Sequence, residues 1–148
     1  MSEKEIPFAK YGAEYIGGHP MYPQRQEVMV LLGESYMRLW GGGNGIDIPY
    51  RDIKRVGNAT SESITNTRLF MFGAAGGLFL EKRKLYTVID YIDSIGDKIS
   101  IVLDFHRKID QAQSNIYLKM VAARTKTKTE EVEFIESISK DAIGEKEV

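Results

Sequence analysis

The sequence contains no cysteine and only two histidines among its 148 residues. Without cysteine the chain cannot form disulfides, use a thiolate nucleophile or build a thiolate zinc site. His19 and His106 are distant in sequence and are interpreted as a turn residue and a strand-end residue. The composition therefore predicts no cofactor and no resident metal.

The sequence also lacks an overall charge bias, because 20 basic and 21 acidic residues leave a net charge of -1. Nothing in that balance attracts nucleic acid. Residues 126–148 hold four basic and seven acidic residues, whereas residues 1–125 hold sixteen and fourteen. The C-terminal segment is thus an electrostatic unit of its own, with a net charge of -3 against +2 for the rest.

Long apolar runs are missing as well. The N-terminus, MSEKEIPF, has no apolar core of the kind that a secretory signal needs. The longest apolar run contains three glycines and is too short to cross a bilayer as a helix. These features predict a cytoplasmic protein that meets a membrane only peripherally, if at all.

Residues 26–105 instead show the short β-branched and aromatic runs that are typical of strands. QEVMVLL and SYMRLW form a predicted hairpin across Gly33, Glu34 and Ser35, and the glycines of residues 41–45 predict the next turn. Residues 46–60 read as one long strand bent at Pro49, since proline removes a ladder donor. Strands LYTVIDYID and KISIVLDF follow.

The hydrophobic period changes near Asp110 to the spacing of a helix. Asp110 and Gln113 are spaced as a variant of the capping box at its start. The threonines and lysines of residues 125–129 interrupt the pattern and predict the end of this helix. A shorter amphipathic segment follows, with apolar residues at Val132, Ile135, Ile138 and Ala142. The predicted apolar stripe of the first helix is Ile109, Ala112, Ile116, Met120 and Ala123.

The order of six or seven strands followed by one amphipathic helix resembles the pleckstrin-homology superfold and its GRAM-like branch. The segments EYIGGHPMYP, IDIPYRDIKRV, LFLEKRKLYTVIDYID and QSNIYLKMVAA resemble PH-like domains of uncharacterised bacterial and archaeal proteins. The resemblance covers residues 12–125, with 126–148 as a charged tail. It implies a small antiparallel barrel closed by one helix and followed by a short helical tail, a mainly β fold with a C-terminal helix.

Members of that superfold with known roles bind phosphoinositides or proteins and are not enzymes. Those that bind phosphoinositides carry lysines and arginines on the first hairpin. The corresponding loop here, Gly33, Glu34 and Ser35, carries no base. The resemblance therefore implies a protein-binding module in preference to a phosphoinositide-specific one.

One predicted hairpin, in residues 69–80, has apolar residues on both faces of its strands, whereas a single core covers only one face. Three covers are open: the C-terminal tail, a second copy of the chain, or a membrane surface. Arg68, Lys82, Arg83 and Lys84 would contact anionic lipid in the third case. The residues predicted to form this interaction surface are Leu69, Phe70, Phe72, Leu78, Phe79 and Leu80.

Three functional hypotheses follow. The first is a non-enzymatic module that binds a protein partner or itself through this hairpin and the helix at residues 110–124. The second is a peripheral membrane module that uses the hairpin and its basic residues. The third is an enzyme or a small-ligand binder with its site around His19, Tyr22 and Asp47. The acids Asp90, Asp93 and Asp97 do not match a calcium loop and are interpreted as turn residues.

Overall fold

The computed structural model describes residues 6–22, 24–65 and 83–147. In this part of the chain, seven antiparallel strands precede one long helix, which confirms the predicted class, mainly β with a C-terminal helix. The strands are β1 (Ala9–Gly17), β2 (Gln26–Leu32), β3 (Tyr36–Gly41), β4 (Asn44–Pro49), β5 (Ile53–Ala59), β6 (Tyr86–Ile92) and β7 (Lys98–Asp104). The helices are α1 (Ser61–Thr65) and α2 (Ile109–Glu147), and 3-10 turns occupy Tyr50–Asp52 and His106–Lys108.

The strands form one sheet in the order β4-β3-β2-β1-β7-β6-β5. Strands β4 and β5 lie at opposite edges, although only Tyr50–Asp52 separates them in the chain. Three residues reach at most about 10 Å, so the sheet must curl to bring its edges near each other. Within the described ranges these edges share no strand pairing. The sheet is therefore curled and is not closed into the predicted barrel.

Two predicted turns are confirmed. Gly33 lies between β2 and β3, where its N–H donates to the Tyr36 carbonyl at 3.0 Å. Gly42 and Gly43 form the two-residue connection between β3 and β4, with φ angles of 59° and 83°. Both angles are positive, as a type I′ hairpin turn requires, which explains why glycine occupies both positions.

The single long strand predicted for residues 46–60 is wrong. Strand β4 ends at Pro49, and the chain then enters a 3-10 turn before β5 begins at Ile53. The cause is Tyr50, whose side chain is 1% exposed in the core. Its N–H donates to the Ser35 carbonyl at 3.1 Å and its hydroxyl donates to the Gly33 carbonyl at 2.8 Å. These bonds tie the turn to the β2–β3 loop, so β4 and β5 are separate strands.

The main core lies on the concave face of the curled sheet, against α2. Alternate residues of β7 point into it as predicted, and so does the apolar stripe of the helix. The core residues from β7 and α2 are Ile99, Ile101, Leu103, Ala112, Ile116 and Met120, with Ile109 and Ala123 packed at its margin.

A second buried cluster lies on the other face of the sheet and is formed by Ile16, Ile64, Tyr86, Val88 and Val102. Ile64 comes from α1, so this short helix covers part of that face. Strand β6 consequently buries side chains on both faces.

The first turn of α2 differs from the predicted capping box. The Gln113 side chain points to the sheet, where its Nε2 donates to Asn58 Oδ1 at 2.7 Å and to Thr87 Oγ1 at 2.8 Å. The helix is preceded by a 3-10 turn in which Asp104 Oδ1 accepts from the His106 N–H at 2.9 Å. Gln113 therefore fixes the helix to β5 and β6 and does not cap it.

The predicted break at residues 125–129 is also wrong, because α2 is continuous from Ile109 to Glu147. Threonine costs a helix only a few tenths of a kcal/mol per residue, up to about 0.7. The Thr125 hydroxyl donates to the Val121 carbonyl at 3.0 Å, so its polar group is satisfied within the helix. The predicted separate tail helix is the second half of α2.

Candidate functional site

A groove of about 460 Å³ runs between α2 and the two connections that precede β3 and β5. We call it the helix groove. One wall is α2 and the other consists of the β2–β3 loop and the Tyr50–Asp52 turn. Its lining residues are Glu34, Ser35, Tyr36, Pro49, Tyr50, Arg51, Lys119, Ala122, Ala123 and Lys126.

Both walls of the helix groove are held by hydrogen bonds to the backbone. The bonds from Tyr50 described above join the turn to the β2–β3 loop. On the helix side, Arg124 Nη2 donates to the carbonyl oxygens of Ile53 at 3.2 Å and Lys54 at 2.8 Å. Because these contacts join α2 to the start of β5, the width of the groove is set by the fold.

The charge of the groove is mainly positive. Among the described residues, Arg51, Lys119 and Lys126 line it together with one carboxylate, Glu34. Lys119 Nζ lies 2.9 Å from Glu34 Oε2 and also 4.9 Å from the centre of the Phe8 ring. The Glu34 side chain is 82% exposed, and an ion pair at such a surface contributes only about 0–1 kcal/mol. A carboxylate of a ligand can therefore replace Glu34 at little cost.

The sequence did not predict the helix groove. Lys119 and Lys126 are seven residues apart, a spacing that places them on one side of a helix beside the stripe of Ile116 and Met120. That signal was available in the sequence. Arg51 was not predictable, because it reaches the helix only through the turn that Tyr50 anchors.

The apolar hairpin predicted as an interaction surface lies outside the described residues, and so do Arg68 and Lys82. Arg83 and Lys84 are described and line an open depression of about 420 Å³ with Leu85, His106, Arg107 and Ile109. We call this the basic patch.

The buried carboxylate of Asp104 lies beneath the basic patch. Its Oδ2 lies 2.7 Å from Lys84 Nζ and 3.3 Å from His106 Nδ1. One of the cations is thus already paired, while the Arg83 and Arg107 side chains are exposed. The structure therefore joins part of the predicted basic cluster to residues at the start of α2.

His19 and Tyr22 form a compact turn with Tyr15. The Tyr15 hydroxyl donates to the Tyr22 carbonyl at 2.8 Å and accepts from the His19 N–H at 2.7 Å, while His19 Nδ1 accepts from the Met21 N–H at 3.0 Å. Burial raises the pKa of Tyr15 to about 12 and lowers the pKa of His19. Both side chains are consequently neutral and act as hydrogen-bonding parts of the turn.

Asp47 is not part of that turn. It lies on β4 between the inward-facing Ile46 and Ile48, and its Oδ2 accepts from Arg38 Nη2 at 2.8 Å. This bond holds the pKa of Asp47 below its usual range. The space beside Tyr15 and Tyr22 measures only about 10 Å³, room for about one water. The structure thus does not gather His19, Tyr22 and Asp47 around a cleft.

The acids Asp90, Asp93 and Asp97 lie on β6 or in the turn that joins β6 to β7. Asp93 Oδ1 accepts from the N–H groups of Ile95 at 3.1 Å and Asp97 at 2.8 Å, which closes the turn. Asp90 Oδ2 accepts from Arg55 Nε at 2.9 Å. Among the described residues no group of three or more potential metal ligands occurs. Asp93 and Asp97 are therefore turn residues, as interpreted from the sequence, whereas Asp90 is a strand residue of β6.

No helix in the described part of the chain is both long enough and apolar enough to cross a membrane. No protein-family model matches the sequence, and no curated protein matches it. A similar solved structure is the crystal structure of the C-terminal domain of an unknown protein from Leishmania infantum. It is 13% identical, with a TM-score of 0.49 over 79% of this chain and 85% of that chain.

Proposed function

We propose that this protein is a non-enzymatic protein-binding module that holds an acidic segment of a partner in the helix groove. The observation that carries the proposal is the placement of Arg51, Lys119 and Lys126 around one groove. The one carboxylate among its described lining residues, Glu34, is exposed and replaceable.

The groove also suits a polypeptide in size and surface. Its volume of about 460 Å³ falls in the range of about 300–1,000 Å³ that is typical of ligand sites. Tyr36, Pro49 and Ala122 supply contact area between the cations. A partner segment with alternating acidic and apolar residues would satisfy both kinds of surface.

The test is binding of a fluorescently labelled glutamate-leucine peptide to the full chain, measured by anisotropy at several salt concentrations. Arg51→Glu with Lys126→Glu should weaken binding about tenfold or more, since each reversed contact costs up to about 1 kcal/mol. Glu34→Gln should strengthen binding, because Lys119 loses its internal competitor.

The matched control is Lys98→Glu, which changes an exposed lysine that does not line the groove. A lysine-leucine peptide controls for peptide length and apolar content. The proposal is wrong if both peptides bind equally, or if Lys98→Glu weakens binding as much as the groove variant does.

A second candidate function, peripheral binding to an anionic membrane, is supported by the basic patch. Arg83 and Arg107 are exposed there, and the Leu85 side chain beside them is 45% exposed. A basic residue near an anionic surface contributes about 1 kcal/mol. Sedimentation with phosphatidylserine vesicles should fall for Arg83→Glu with Arg107→Glu. Equal sedimentation with neutral vesicles would exclude this candidate.

A further inference from the structure

The second half of α2 extends away from the described part of the sheet. Arg124 donates hydrogen bonds to the carbonyl oxygens of Ile53 and Lys54, and the described side chains beyond it are exposed. Residues 125–147 continue as helix over about 35 Å. Val132 and Ile135 in this segment are 53% and 61% exposed. A helix that projects in this way offers apolar surface to another molecule.

The exposed apolar residues of α2 form a stripe that spans both halves of the helix. Leu118, Val121, Val132 and Ile135 are all exposed, and together with the polar Thr125 and Lys128 between the two pairs they follow a spacing of three and four residues. This is the spacing of a coiled-coil seam. The stripe faces away from the buried side chains of Ile116 and Met120, so packing against the sheet leaves it uncovered.

Charge along α2 is divided between the same two halves. Residues 111–129 contain four basic residues and no acidic one, namely Lys119, Arg124, Lys126 and Lys128. Residues 130–147 contain seven acidic and two basic residues. Two such helices side by side in parallel would place like charges together. An antiparallel pair would place the basic half of each against the acidic half of the other.

From the seam and this charge division we infer that the occupant of the exposed helix face is a second copy of the chain, with the two α2 helices antiparallel. A two-fold axis then creates the same contact twice and closes the assembly as a dimer. Charge complementarity identifies a second copy as the partner, because the basic half of α2 in one copy attracts the acidic half of α2 in the other.

This inference goes beyond the proposed function. Lys119 and Lys126 line the helix groove on the side of α2 that lies beside Ile116 and Met120, whereas the seam lies on the opposite side of the helix. A partner helix on the seam therefore leaves the groove accessible.

The first test is the mass of the full chain in solution across a concentration series, measured by sedimentation equilibrium. We expect a monomer-dimer equilibrium for the natural sequence. Lys126→Glu with Lys128→Glu should weaken the dimer about tenfold or more, and so should Glu133→Lys with Glu136→Lys. An equimolar mixture of the two double variants should recover the dimer, since both sets of contacts are again between opposite charges.

The second test is the orientation of the helices, for which the absence of cysteine is an advantage. Thr125→Cys alone should not cross-link with a short bis-maleimide, whereas a mixture of Thr125→Cys and Ile135→Cys should. Strong cross-linking of Thr125→Cys to itself would overturn the antiparallel arrangement. Circular dichroism of each variant checks that the fold is kept.

The two proposals fail in different ways. A chain that stays monomeric at all concentrations and still binds the glutamate-leucine peptide overturns the dimer and leaves the groove proposal standing. A dimer that survives the charge reversals overturns the charge-based docking. A monomer that binds no acidic peptide overturns both.

Discussion

The turn after β1 shows how single atoms fix the chain at the residue scale. Tyr15 joins His19 and Tyr22 through its hydroxyl, and the adjacent Gly18 has a φ angle of 113°. A Cβ at Gly18 would lie 1.8 Å from the Ser100 carbonyl oxygen. Glycine is therefore required here both by the backbone angle and by the close approach of β7.

Gly18→Ala should accordingly destabilise the protein by about 3 kcal/mol or more, because the strained φ angle and the collision with backbone add. Urea denaturation measures the effect. Gly12→Ala is the control, since nothing lies within 4 Å of its added Cβ, and it should change the free energy of unfolding by less than about 1 kcal/mol. Equal effects of the two substitutions would contradict this account.

His19 gives the protein a pH dependence near neutrality. Burial lowers its pKa in the folded state from an ordinary value of 6.5, and the neutral ring accepts from Met21. Between the two pKa values the unfolded chain binds more protons, so the free energy of unfolding falls as pH drops below about 6.5. His19→Asn should remove this loss.

The experiment compares denaturation midpoints of the natural sequence and the variant from neutral pH down to the acid range. His106→Asn is the control, and it should retain the loss because His19 is still present. Glu14 and Asp47 also have lowered pKa values, but they titrate below 4.5 and 3.8 and so act in a separate window. Identical pH profiles for the natural sequence and His19→Asn would exclude this role.

At the scale of elements, the two parts of α2 have different structural roles. Residues 109–124 supply the buried stripe that covers the concave face of the sheet, whereas the described side chains beyond Arg124 are exposed. Stability of the monomer should therefore depend on the first part alone.

Ile116→Ala should cost about 2–5 kcal/mol, because Ile116 is fully buried. Ile135→Ala should cost less than about 0.5 kcal/mol when unfolding is measured at a protein concentration low enough to exclude dimers. A large loss for Ile135→Ala under those conditions would show that the second half of α2 packs against its own domain.

Most of the strands and the long helix could be predicted from the sequence, but the tertiary contacts between them could not. Alternation in β7 and the three-four spacing of Ile116 and Met120 are local patterns, so the strand and the helix could be read directly. The end of β4 depends on Tyr50 bonding to Gly33, a contact between distant residues. The helix break predicted at residues 125–129 was wrong because threonine is only a weak helix breaker.

The candidate site was less predictable for the same reason. Lys119 and Lys126 share a helix face by spacing alone, but Arg51 and Glu34 join them only after the sheet has curled. The predicted hairpin surface at residues 69–80 stays a prediction, and so does the small-ligand site, although Asp47 pairs with Arg38 and does not line the small space beside Tyr22.

For the whole molecule, the strand order has a consequence for how the protein is made. The central strand β1 pairs with both β2 and β7. Strand β1 therefore cannot complete its pairing until β7 has left the ribosome. Pairing across such a separation is slow, because a long loop must close first.

We expect Tyr15 to be open to proteolysis in ribosome-bound chains that stop before Lys98. Chains that have emerged from the ribosome beyond Met120 should protect Tyr15 from proteolysis. If the nascent chain became resistant to proteolysis before β7 emerged, β1 would be able to fold without pairing with β7.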